Sequence, residues 1–69
     1  MKTIKEIRIA KGLSQEEFAR YLGISYRSLQ GREIGQQNYS FLEIVKAAKL
    51  NGGSIRLETE EGNVEVLVK

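Results

Sequence analysis

The sequence predicts a mainly α fold, four short helices followed by a small C-terminal β-hairpin. Three observations carry that expectation. A hydroxyl residue stands three positions ahead of a Glu at Thr3/Glu6, Ser14/Glu17 and Ser40/Glu43, each opening an apolar run with helical spacing. Glycines stand where such runs stop, at Gly12, Gly23 and Gly35, and Asn51-Gly52-Gly53 breaks the last one. Beyond residue 53 the apolar period changes from helical to alternating. One domain is expected over residues 1–69, with a helical core over 3–50 and a β-hairpin over 54–68.

Taken in order, the first helix starts at Thr3 and sets Ile4, Ile7 and Ala10 on one face before Gly12 stops it. The second starts at Ser14 and buries Phe18, Ala19 and Leu22. Gly23 then supplies the left-handed backbone of a sharp turn. The third has Ser25 as its N-cap, Leu29 as its apolar anchor and Gly35 at its end. Its other faces are polar: Tyr26, Arg27, Ser28, Gln30, Gly31 and Arg32. A helix polar on most sides is either weakly supported or presented to something polar. Gln36-Gln37-Asn38-Tyr39 reads as a loop. The fourth helix is expected to turn Leu42, Val45 and Ala48 inward, with Phe41 and Ile44 beside them. In the hairpin, Ile55 and Leu57 alternate with Arg56 and Glu58. Val64, Val66 and Val68 alternate with Glu65, and Leu67 breaks the polar side. The turn is expected at Glu61-Gly62-Asn63. A lone hairpin is marginal in water, so its apolar side must pack on the helices and its free edge must be covered. A second copy of the chain is the simplest cover, which places the hairpin at a dimer interface.

Composition excludes several functions. Among 69 residues there is no Cys, His or Pro. Disulfides and Cys/His zinc sites are therefore ruled out. The usual general base and the most reactive nucleophile are missing as well. Every side-chain carboxylate is a Glu, and Glu16-Glu17 and Glu60-Glu61 are sequence neighbours that point apart. No glycine pattern for a nucleotide-binding loop occurs. Neither catalysis nor a cofactor is expected, and no small-molecule effector is evident. No apolar run approaches the roughly 20 residues of a membrane span. Met1-Lys2-Thr3 leads into an amphipathic helix rather than a signal peptide, so the expected location is cytoplasmic. Net charge is only +2, but it is unevenly spread. The first 35 residues carry seven basic and four acidic side chains, whereas residues 54–69 carry two and four. That split suits a chain with one face toward phosphates and another away from them.

The basic part coincides with Leu13 to Leu29, where two helical patterns meet at Gly23. Each is too short to be a stable helix alone. With apolar residues facing each other across a tight turn, they read as a helix-turn-helix, the motif that sets its second helix in the major groove of DNA.

Residues 4–50 resemble the helix-turn-helix family of phage Cro and repressor proteins and small bacterial (XRE-like) regulators. The resemblance is carried by Ile7-Arg8, by Gly12-Leu13-Ser14-Gln15-Glu16-Glu17-Phe18-Ala19, by Leu22-Gly23-Ile24-Ser25, by Leu29 and by Glu33-Ile34-Gly35. Helices followed by C-terminal strands are similar to the lambda-type Cro arrangement. The resemblance implies a four-helix lambda-repressor-like domain of bacterial or phage origin, nucleoid-associated when bound. It makes the third helix the recognition helix, with Tyr26, Arg27 and Ser28 in the early positions that reach base edges. Arg27 is the leading candidate, because Arg can donate two parallel hydrogen bonds to guanine O6 and N7. Gln30 lies one turn further on. Gln15 matches a position that binds phosphate and braces the recognition helix. Gln37, Asn38 and Tyr39 are candidate phosphate contacts. Arg8 and Glu33 match an internal ion pair.

Three positions depart from the family pattern. Gly31 stands where relatives often carry a longer side chain facing DNA. Arg32 replaces a position commonly apolar, with its stem expected to pack while the guanidinium reaches out. Tyr39 replaces a common proline. Lys46, Lys49 and the acidic hairpin residues read as solvated surface.

The function expected from these residues is a sequence-specific regulator of transcription that binds double-stranded DNA. A Cro-like repressor would bind a palindromic operator as a homodimer, with half-sites about 34 Å apart. The alternative is an antitoxin-type protein-interaction module, able to bind DNA as well, which would use the hairpin's open edge to extend a partner's sheet. A third reading is an accessory protein that bends DNA.

Overall fold

The computed structural model describes residues 3–68. Met1, Lys2 and Lys69 lie outside the described residues, and with them two of the lysines counted in the charge split. Four helices precede one antiparallel hairpin: α1 (Ile4–Ala10), α2 (Gln15–Leu22), α3 (Tyr26–Glu33), α4 (Phe41–Leu50), β1 (Ser54–Thr59) and β2 (Gly62–Leu67). The mainly α expectation and its order of elements hold.

The helices are short because the chain stops each of them in the same way. Thr3, Ser14, Ser25 and Ser40 each accept a hydrogen bond from the backbone N–H three residues on. In α1, α2 and α4 the Glu at that position bonds back to the cap, closing the expected capping boxes. At the far end of α2, the Ile24 N–H donates to the Ala19 carbonyl at 3.0 Å and the Gly23 N–H to the Arg20 carbonyl at 3.2 Å. This double closure satisfies carbonyls that the helix leaves open, and it needs a left-handed residue at its corner. Gly23 provides it at φ 80°. The same pair of bonds closes α1, α3 and α4.

The core comprises Ile4, Ile7, Phe18, Ala19, Leu22, Leu29, Ala47, Ala48 and Ile55. It lies where α1 and α2 meet α4, with α3 packed on α2 and β1 packed on α4. Tyr21, stacked on Phe18, donates its hydroxyl proton to the Lys46 carbonyl at 2.8 Å and so ties α2 to α4.

Three expectations about packing are corrected. Ala10 is exposed, because α1 turns only Ile4 and Ile7 inward. Phe41 and Leu42 are 78% and 62% exposed, and Ala47 is fully buried in their stead. Periodicity alone misleads here: Glu43, Lys46 and Lys49 form one stripe that would be expected to face solvent, yet Glu43 is buried. The buried Glu43 side chain, held toward α3, sets the rotation and brings Ile44, Ala47 and Ala48 inward. The hairpin turn is Glu60-Glu61 rather than Glu61-Gly62-Asn63, since Thr59 pairs with Gly62 and Glu58 with Asn63. No non-glycine residue among those described has positive φ, and Gly62 takes φ 114°. A glycine just after the turn absorbs the twist that the two Glu residues cannot.

The hairpin pairs Ile55 with Val66 and Leu57 with Val64, so its apolar side is shared across both strands. Its position is fixed at the base by Gly53. The Gly53 N–H donates to the Ala48 carbonyl and its own carbonyl accepts from the Val68 N–H, both at 2.7 Å. A Cβ on Gly53 would lie 2.9 Å from the Val68 carbonyl oxygen, so the approach of the strand to the helix end requires glycine.

Gly23→Ala tests the turn between α2 and α3. A Cβ there meets nothing closer than Lys46 Nζ at 3.7 Å, so the cost is conformational rather than steric. A fall of roughly 5–10 °C in the thermal midpoint is expected. An unchanged midpoint would show that the left-handed corner is not needed.

Candidate nucleic-acid interface

α3 is built to present side chains rather than to bury them. Of its apolar side chains only Leu29 is fully buried. Tyr26, Arg27 and Gln30 are exposed and make no side-chain hydrogen bond or ion pair with any described residue. Positions 27 and 30 fall on one stripe of the helix, and Tyr26 adjoins it. Ile34, just past the helix and 70% exposed, continues that stripe. Reading α3 as polar overlooked Ile34, although the spacing 27, 30, 34 carried the signal. Ser28 is half-buried, and its Oγ accepts from Ser25 Oγ at 2.9 Å, so it is less free than its neighbours.

The start of α3 is electrostatically distinct. α1, α2 and α4 each carry Glu in the first turn, whereas α3 carries no acidic residue there. A carboxylate there would offset the positive end of the helix dipole; α3 has none, and Arg27 stands in that turn instead.

The far end of α3 is held by a buried carboxylate. Glu33 is 2% exposed in its side chain. Arg8 Nε donates to its Oε2 at 2.7 Å, and Arg8 Nη2 and Gln15 Nε2 donate to its Oε1 at 3.3 and 2.8 Å. Arg8 Nη1 donates onward to the Leu13 carbonyl at 3.0 Å. The Arg8–Glu33 pair implied by the family resemblance is therefore present, and Gln15 braces α3 through Glu33.

A second ion pair joins α3 to α4. Arg32 Nε donates to Glu43 Oε1 at 2.5 Å, and Arg32 Nη1 reaches the Ser28 carbonyl and Gln37 Oε1 at 3.2 and 2.9 Å. The expectation that this guanidinium reaches out is corrected. It folds back because three acceptors lie within reach on its own side. Burial alone would push the Glu43 carboxyl up, but hydrogen bonds from Arg32 and Ser40 hold it below its ordinary value of 4.5.

Two loop expectations change with it. Gly31 is buried, and a Cβ there would meet the Gln37 side chain at 3.2 Å, so this position faces the loop and not a ligand. Gln37 covers it and accepts from Arg32, while Asn38 stays exposed and its side chain bonds to no described residue. The Tyr39 hydroxyl is buried and its ring packs on the core, which removes it from the outward-facing set. The structure thus groups Tyr26, Arg27 and Gln30 on one open face. It sets Gln37 and Asn38 in the loop that follows α3, and Gln15 behind the face as a brace.

Among the described residues no helix is long and apolar enough to cross a membrane, and no cluster of acidic side chains could hold a metal ion. A family model described as Helix-turn-helix matches residues 4–57. No curated protein and no solved structure matches the chain significantly.

Two measurements test the supports of α3. Arg8→Met should cost about 3–5 kcal/mol in denaturant unfolding by stranding the Glu33 charge, and Arg8→Met with Glu33→Leu should recover most of that loss. Equal losses in both would show that the pair is not the source of the cost. Glu43 has a depressed folded value, so its contribution is present above pH 4.5 and is lost as pH falls through the folded value. Stability of Glu43→Gln should therefore fall less steeply than wild type below pH 4.5. Parallel pH curves would rule that contribution out.

Proposed function

This chain belongs to the helix-turn-helix family of DNA-binding transcriptional regulators, and from that premise we propose that α3 reads base edges in the major groove through Tyr26, Arg27 and Gln30. The observation that carries the proposal is the open face of α3. It consists of donors and acceptors without partners among the described residues, on a helix whose C-terminal end is tied down by the Arg8–Glu33 and Arg32–Glu43 pairs. Arg27 reads a guanine by two parallel hydrogen bonds, and Gln30 reads a base or the backbone one turn on. Ser28 contacts DNA at the edge of this face. Gln15, Gln37 and Asn38 contact phosphates on either side, each with at least one side-chain amide group still available.

The protein acts as a homodimeric, Cro-like repressor on a palindromic operator. The hairpin supplies the contact between copies. Its sheet has only two strands, so the outer edge of β2 has no strand beside it among the described residues. Val64 and Leu67 are 46% and 71% exposed on that strand. A second β2 paired there satisfies the edge and sets a neighbouring strand beside Val64 on one face and Leu67 on the other, and its two-fold symmetry matches an inverted repeat. Occupancy of a promoter is then sufficient for repression.

Selection of bound sequences from random duplexes should return an inverted repeat with half-site centres about 34 Å apart. Affinity for that site should fall steeply as salt rises, with log K linear in log salt. Arg27→Ala should cost about 1–3 kcal/mol and relax the preference at one position per half-site. A salt-independent affinity, or unchanged specificity in Arg27→Ala, would defeat this assignment.

A further inference from the structure

A cavity of about 310 Å³ lies on the molecule away from the open stripe of α3. Its walls come from four places: Thr3 and Lys5 at the start of α1, Glu33 at the end of α3, Tyr39 in the loop, and Arg56 on β1. Two buried side-chain atoms of the described residues have no hydrogen-bond partner, Tyr39 Oη and Arg56 Nε. Both residues line this cavity. Buried polar atoms nearly always find partners, so two on the walls of one cavity call for a group between them.

The chemistry of the walls selects that group. A guanidinium Nε can only donate. Burial first, and the Glu33 carboxylate second, push the Tyr39 hydroxyl up to about 12, so it stays protonated and able to donate. Lys5 and Arg56 form no ion pair with a described residue. Glu33 and Arg32, which also line the cavity, are already neutralised by Arg8 and Glu43. Among the residues that line the cavity, the charge left unpaired is therefore positive, and both unmet groups can donate. The volume lies at the small end of the range for ligand sites, roughly 300–1,000 Å³. We propose that this cavity binds a small oxyanion, the phosphate or carboxylate group of a small molecule, held by Arg56 and Tyr39 with Lys5 at its mouth. Such a ligand touches the end of α3 and the hairpin together, and any effect on operator binding rests on the DNA-reading function proposed above. Binding itself is measured without DNA, so the two ideas fail separately.

The test is a titration of the folded, isotope-labelled protein followed by NMR, with inorganic phosphate and with succinate, at constant ionic strength against chloride. Saturable shifts at Lys5, Tyr39 and Arg56 are expected, and the anion that saturates first names the source. Arg56→Met and Tyr39→Phe should each weaken that binding by at least about tenfold. In buffer free of both anions, Tyr39→Phe should leave the thermal midpoint unchanged or raise it, because the hydroxyl has no partner to lose. Shifts that stay linear and match chloride overturn the proposal. So do saturable shifts that Arg56→Met leaves intact, and so does a midpoint lowered by Tyr39→Phe, which would mean that bound water already fills the site.

Discussion

The arrangement depends on one buried carboxylate. Glu33 ends α3 and is almost sealed from solvent, so its charge must be met by protein donors. Arg8 from α1 and Gln15 from α2 meet it. Three helices thereby share one acceptor, and the fork of Arg8 fixes the angle as well as the distance. Hydrophobic burial could not do this alone. α3 contributes Leu29 and little else to the core, so its position would be loose if apolar contact were its only restraint. At the other end the left-handed corner at Gly23 sets where the helix begins. Arg32 and Glu43 add a third restraint from α4. Polar ties on the inner side leave the outer side, with Tyr26, Arg27 and Gln30, free of structural duty.

What could be read from the sequence was largely what is local. Thr3, Ser14, Ser25 and Ser40 bond to backbone three residues away, and the glycine closures span six residues, so both leave their mark within one turn of chain. The helix boundaries followed from them. The rotation of α4 did not, because Phe41, Leu42, Ile44 and Val45 are all apolar and only a partner on α3 breaks the tie. Arg32 was misread for the same reason. Its acceptors Gln37 and Glu43 lie five and eleven residues on, outside any local pattern. Arg8 and Glu33 are twenty-five residues apart, and only likeness to a known family pointed to that pair. The candidate reading residues were legible through the motif, and their openness follows from what surrounds them rather than from their own identity.

The two ends of the molecule obey opposite rules. On the open stripe of α3, unpaired polar groups cost nothing, since water serves them until a ligand arrives. In the cavity beside the hairpin, the unpaired atoms of Tyr39 and Arg56 are shut away from bulk solvent. Each such group costs about 1–3 kcal/mol. A chain of 69 residues has a small reserve against that cost. At about 0.05–0.15 kcal/mol per residue, its whole stability is of the order of 3–10 kcal/mol. The buried set includes three alanines among its nine apolar members, and large apolar side chains such as Phe41 and Leu67 remain outside it. An anion present at 100 times its dissociation constant would add about 2.7 kcal/mol, a sizeable share of that total. Occupancy of so small a cavity would therefore govern how firmly the hairpin and the end of α3 are held. A small molecule has most leverage here because, elsewhere among the described residues, buried side-chain polar groups are already paired.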